Sequence, residues 1–404
     1  MIFKLAWRNL WRNKRRTFIT MASVFFAVIL STLMSGFKEG SYKGMINSMV
    51  GSYTGFAQVH ADGYWDEKTL DNSLQLSDSL LMAMESTEGI VDFLPRVESF
   101  ALSATETKTK GAMVVGIDVE KEKLYSKLNE RVSAGEYLSK EDDGALLGKG
   151  LAEYLSLSFG DTIVLFGQGY HGTTAAGKYP VKGIVKFGSP ELSKQLVFLN
   201  LNQADLLYST EGLLSSLVLK LDDPESSTEI VNELKHLLPA NYEAMDWFEL
   251  VPELNQLIES DRVEGYVFMF ILYMVISFGM FGTVLMMLAE RKYESGVLVA
   301  IGMKRQKLAI MVWMEVMIIS LLGAFFGMLG AFPVCLYFYI NPIQFGEEMG
   351  KMMEEYGMEA VLQTSIDPDI FITQAVIVAV IGSLIAIYPL VNLLKLNAIK
   401  AMRS

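Results

Sequence analysis

One cysteine in 404 residues, Cys335, excludes any disulfide within the chain, so whatever folds here is held by its own core. Histidine is nearly as scarce. His60, His171 and His236 are scattered, and no His or Cys pair stands at metal-ligand spacing. There is no serine-centred nucleophile elbow either, so no catalytic constellation emerges. Only 20% of residues are charged, and acids outnumber Lys plus Arg by 46 to 34, giving a net charge of −12 that offers no footing for nucleic acid. What the chain has instead is apolar sequence: 51% hydrophobic residues and a mean hydropathy of +0.31. Four apolar runs, 18–37, 266–289, 308–340 and 370–394, each reach the roughly 20 residues that cross a bilayer as a helix. A soluble cytosolic enzyme is excluded. Between the first two runs lie 228 residues of mixed sequence, 38–265, enough for a water-facing domain with its own core.

Flanking charge sets the expected topology, because basic loops resist translocation. Residues 1–16 carry Lys4, Arg8, Arg12, Lys14, Arg15 and Arg16 without one acid, and 290–307 has five basic residues against Glu290 and Glu294. With Lys395, Lys400 and Arg403 in the tail, these three segments belong in the cytoplasm. Segment 341–369 has seven acids against Lys351, and 38–265 has 36 against 19 Lys plus Arg, so both belong outside. The expected order is a cytoplasmic amphipathic helix 1–16, spans 17–37, 266–289, 308–340 and 370–394, a cytoplasmic loop 290–307, a short outer loop 341–369 and a tail 395–404. The first run is longer than a signal-peptide core and 35–38 offers no small-x-small cleavage site, so it is expected to stay as an anchor. Before it, Phe3, Leu5, Ala6, Trp7, Leu10 and Trp11 interleave with Lys4, Arg8 and Arg12, which predicts a helix lying in the membrane plane.

Segments 38–50 and 246–262 keep helical spacing and predict stalks that extend the first two spans. Between them alternation predicts strands at 57–60, 97–104, 111–117, 162–166, 181–185, 195–199 and 214–219, and periodicity predicts helices at 77–84, 149–155, 201–207 and 226–238. That makes an α+β domain. Residues 172–178 match G-x-x-x-x-G-K, the phosphate-cradling loop, but Tyr179 and Pro180 follow where a Ser or Thr should open a helix. A flexible hairpin loop is expected there.

Residues 288–330, LAERKYESGVLVAIGMKRQKLAIMVWMEVMIISLLGAFFGMLG, carry a resemblance. They resemble the FtsX-like permease domain of ABC transporters of the MacB and lipoprotein-releasing type, matching at Glu290, Arg291, Glu294, Gly296, Leu298, Ala300, Ile301, Gly302, Glu315, Gly323 and Gly327. Ser295-Gly296 departs from the family's usual Ile-Gly. The opening LAWRNLWRNKRRTFIT, and ALLGKGLAEYLSLSFG at 145–160 followed by Asp161, are similar to two further stretches of the same family, so the likeness runs along the whole chain. It implies a four-span permease of the type VII kind with a large periplasmic α+β domain between spans one and two. It implies no cofactor in this chain, ATP and Mg being bound by a partner ABC ATPase, and a second permease, identical or homologous. The segment Glu290–Ile301, ended by Gly302, becomes a coupling helix whose charges Glu290, Arg291 and Glu294 meet the ATPase. Acyl chains of a lipoprotein cargo would face Met34 and Phe37 on one span and Met269, Phe270, Tyr273 and Met274 on the other. Gly323-x-x-x-Gly327 suits close helix packing, and Glu315 calls for a basic partner or a seat at interface depth. Competing readings are MacB-like efflux of a peptide or antibiotic and FtsX-like mechanical control of cell-wall hydrolases.

Overall fold

A computed structural model describes residues 2–12, 14–346, 349–350, 352 and 361–395. The chain divides into two units, one built on Met1–Tyr42, Glu259–Gln344 and Val361–Ser404, the other on Lys43–Ile258.

Among the described residues four helices are long and apolar enough to cross a membrane, and all four exceed the apolar runs that predict them. After α1 (Ile2–Arg12), α2 (Lys14–Ile46) continues directly into a π-helix, Asn47–Thr54. The second long helix is not a single stalk from residue 246. Trp247–Leu250 is a separate turn, capped by the reciprocal Asp246 and Glu249 pair, and Pro252 restarts the chain. The residue before a proline is pushed out of the helical region, and Val251 takes φ −131°. The apolar core of the membrane unit brings Val24, Val28, Met280, Val284, Val316, Val378 and Ala386 together. The third long helix, Arg305–Ile340, and the last, Pro368–Leu394, each keep a proline inside, which a span tolerates when neighbours re-satisfy the freed carbonyl. The two approach closely: a methyl at Gly382 would lie 2.6 Å from the Ser320 hydroxyl. The outer loop predicted at 341–369 contains two antiparallel two-residue strands, Ile343–Gln344 against Val361–Leu362, and Ser365 N–H donates to the Gly36 carbonyl of α2 at 2.8 Å.

The second unit holds a ten-stranded sheet of β1 (Ala57–Ala61), β2 (Ile90–Ala104), β3 (Thr109–Ile117), β4 (Val132–Gly135), β5 (Ala145–Gly148), β6 (Thr162–Gln168), β7 (Thr174–Val185), β8 (Leu196–Asn200), β9 (Ser216–Leu221) and β10 (Tyr242–Asp246). The pairings β2–β3–β8–β5–β7–β6 return to β2 and close a ring, which removes free edges from six strands. The 15-residue β2 makes this possible, because Ile90–Arg96 pairs with β9 while Ala101–Ala104 pairs with β6. β7 starts at Thr174, seven residues before the predicted strand, so the G-x-x-x-x-G-K stretch is mostly strand rather than loop: Gly177 faces Leu165 and Lys178 faces Val164. The turn itself is Tyr170–Gly172, where Gly172 takes φ +75°.

Candidate functional site

The break between the second long helix and the next, Lys292–Ala300, falls at Arg291 and points its side chain inward. Arg291 Nη1 meets Glu315 Oε2 at 2.5 Å on the third long helix, Nη2 donates to the Asn9 carbonyl at 3.2 Å, and Asn9 Nδ2 donates to Glu315 Oε1 at 2.8 Å. Glu315 is fully buried and Arg291 nearly so. A carboxylate removed from water costs several kcal/mol unless its partner and hydrogen bonds are well placed, and here two donors are. Outside this cluster, Arg12 pairs with Glu294.

The short helix ends by a defined rule. Met303 N–H bonds the Leu298 carbonyl at 3.0 Å and Gly302 N–H that of Val299 at 3.1 Å, while Gly302 sits at φ +106°. This is the paired closure that favours glycine, and Met303 and Leu298 share the apolar cluster beneath it. The sequence expectation that Arg291 presents its charge outward is corrected: that charge is used within the chain, and Ser295 and Gly296 are buried too. The outward side consists of Glu290, Lys292, Tyr293, Glu294 and Ile301, the last 79% exposed.

Gly323 and Gly327 face α2 of the same chain. A Cβ at Gly323 would come within 2.7 Å of Val24 and one at Gly327 within 2.8 Å of Val28, so the glycines set how closely two spans approach. Gly323→Leu is expected to cost about 1–3 kcal/mol by overpacking, read as a lowered melting temperature. Normal melting with lost self-association would put these glycines between chains instead.

The six residues proposed to face cargo do not form one wall. Met34 and Met269 line a cavity of about 140 Å³ with Lys38, Tyr42, Arg262 and Tyr266. At its side Lys38 Nζ meets Asp261 Oδ2 at 2.9 Å, and the Tyr42 hydroxyl donates to the same carboxylate. Phe37 turns instead onto Phe338, with ring centroids 5.4 Å apart, and the Tyr273 hydroxyl donates to Gln374. Phe270 and Met274 are exposed. Sequence reasoning missed Asn9 as part of the Arg291 cluster; its signal is an uncharged polar residue on the packed side of an amphipathic helix. Among the described residues no His, Cys, Asp or Glu group could hold a metal.

Four helices long and apolar enough to cross a membrane, a short glycine-closed helix and an α+β unit are the parts expected of a membrane permease. Residues 17–237, more than half the chain, match the MacB-like periplasmic core domain, and 266–398 match the FtsX-like permease C-terminal domain. The chain belongs to the FtsX-like, MacB-type family of ABC permeases. It is similar to the lipoprotein-releasing system transmembrane protein LolC of Neisseria meningitidis serogroup B, at 25% identity over 246 residues. That alignment spans 58% of this chain and 58% of the relative. Among solved structures it is similar to the extracellular domain of the noncanonical ABC-type transporter YknZ from Gram-positive bacteria, at 13% identity and TM-score 0.33 over 47% of this chain and 99% of that one. The periplasmic region of MacB from Actinobacillus actinomycetemcomitans matches at 13% identity and TM-score 0.35, over 53% of this chain and 97% of that one.

Proposed function

We propose that this chain is the transmembrane subunit of an ATP-driven lipoprotein-releasing system in the inner membrane, with its α+β unit in the periplasm and both termini in the cytoplasm. A separate ABC ATPase binds ATP and Mg, a second permease completes the assembly, and lipidated cargo leaves the bilayer as hydrolysis proceeds. The single observation that carries the coupling role is the short helix Lys292–Ala300: held from inside by Arg291, closed by Gly302, and presenting Tyr293 and Ile301 outward. A rigid, capped helix with an exposed aromatic and an exposed aliphatic residue suits a groove on a partner, where such side chains carry most of the binding energy. The likeness to LolC supports lipoprotein as the cargo class, and the lopsided loop charges support the orientation.

Tyr293→Ala with Ile301→Ser tests this without touching the inner cluster. The variant is expected to reach the membrane at wild-type yield while ATPase co-purification falls at least roughly tenfold, about 1.4 kcal/mol, and lipoprotein release from proteoliposomes falls with it. Unchanged recovery together with unchanged release would end the coupling-helix role.

A further inference from the structure

The first helix has three faces: one is packed into the protein, and the other two are exposed apart from the Arg12–Glu294 pair. Ala6 and Leu10 are buried beneath the apolar clusters of the third long helix, and Asn9 reaches Glu315 from that same side. Phe3, Trp7 and Trp11 recur every fourth residue, so each advances only about 40° around the axis, and Lys4, Arg8 and Arg12 repeat the pattern about 100° further on. All six are exposed. The result is an aromatic stripe beside a cationic one.

The aromatic stripe does not stop at the end of α1. Trp7 and Trp11 meet edge-on at 5.9 Å, and Trp11 meets Phe18 at 6.2 Å, which carries the row onto the first membrane span. A surface continuous with a lipid-facing helix faces lipid itself. The neighbouring charges are all of one sign, since the first sixteen residues contain no acid. Indoles at headgroup level with Lys and Arg beside them match an anionic bilayer surface, where each basic residue adds roughly fivefold to the attraction.

From these contacts we propose that α1 is a strap that binds anionic phospholipid on one side and holds the Lys292–Ala300 helix on the other. The grip runs through Asn9, whose side chain holds Glu315 and whose carbonyl holds Arg291, the residue immediately before that helix, and through the Arg12–Glu294 pair. Headgroup charge then sets how firmly the helix is seated. The inference concerns the seating of Lys292–Ala300 and stands whether or not an ATPase docks there.

The test is hydrogen exchange on the full-length chain in nanodiscs of phosphatidylcholine alone or with a quarter phosphatidylglycerol. Amides 292–300 are expected to exchange on the order of tenfold more slowly in the anionic discs, while amides deep in the third long helix do not change. Lys4→Gln/Arg8→Gln/Arg15→Gln is expected to abolish the difference between discs. Asn9→Ala is expected to speed exchange at 292–300 in both. Equal exchange of the wild type in the two discs overturns the lipid half, and unchanged exchange in Asn9→Ala overturns the strap; neither outcome bears on co-purification of an ATPase.

Discussion

Replacing Arg291 with methionine is expected to cost about 3–5 kcal/mol, because it removes the guanidinium that pairs with the fully buried Glu315. The loss should appear as a large fall in melting temperature of the purified chain. Arg291→Lys should lie between, since an ammonium cannot serve the Glu315 carboxylate and the Asn9 carbonyl with the planar fork that spans both. Removing both charges, as Arg291→Met with Glu315→Leu, should recover most of the stability, because an apolar pair of similar volume has no desolvation to offset. A single Arg291→Met variant that melts like the wild type would show that the pair contributes nothing to the bundle. The recovered double variant is the more useful reagent, since it separates folding from any later role of the pair.

A second large effect is expected at Arg96 in the α+β unit. Its guanidinium meets Glu122 Oε1 at 2.7 Å, lies 3.5 Å from Glu98 and donates to the Tyr53 carbonyl at 2.6 Å, near the end of the π-helix. Arg96 and Glu122 are both only 2% exposed, and one cation stands against two carboxylates. Arg96→Met should therefore cost about 3–5 kcal/mol, read by urea unfolding of the intact chain. The excess carboxylate adds a pH signature. Burial pushes the Glu98 carboxyl above its ordinary value, and Arg96 and the Tyr53 hydroxyl offset this only in part. A carboxyl raised on folding holds its proton more tightly when folded, so its contribution is fully present below the unfolded value and is lost as pH rises through the folded one. Glu98→Gln should flatten that loss and raise stability near neutral pH. A wild type whose stability climbs steadily over the same window would contradict the assignment.

Much of the molecule is legible in its residues, and the gaps have physical causes. Long apolar runs announce the spans because a bilayer demands length, and the helix Lys149–Leu155 shows its bounds through spacing alone. β5 escapes because Ala145–Gly148 is four wholly buried residues with no alternation to detect. β10 escapes because Tyr242–Asp246 is half polar and runs into a capped turn, which hides Pro252 as the true start of the next helix. The early start of β7 is hidden by Ala175-Ala176-Gly177, residues with little strand preference that the ladder to β6 enforces. At the site, the glycine closure and the need for a cation near Glu315 can be read directly. Which cation, and the part played by Asn9, require the fold, because 306 residues separate Asn9 from Glu315.

The pairing of β1 with β10 also determines how the α+β unit would respond to force. The strands are antiparallel with Ala57 opposite Asp246, and Trp247 N–H bonds the Phe56 carbonyl at 3.0 Å, so the chain comes in and goes out at the same end of one ladder. A load that draws these two leads apart falls first on that bond and then on each rung in turn, from Ala57 with Asp246 toward Ala61 with Tyr242. Strands loaded this way unzip one bond at a time, whereas strands pulled from opposite ends share the load in shear. The closed ring is reached only across the other edge of β1, where Gln58 and Val59 pair with β9, and then through β2. The unit thus has a compliant lip in front of a stiff body, and small separations of its leads are absorbed before the ring is strained.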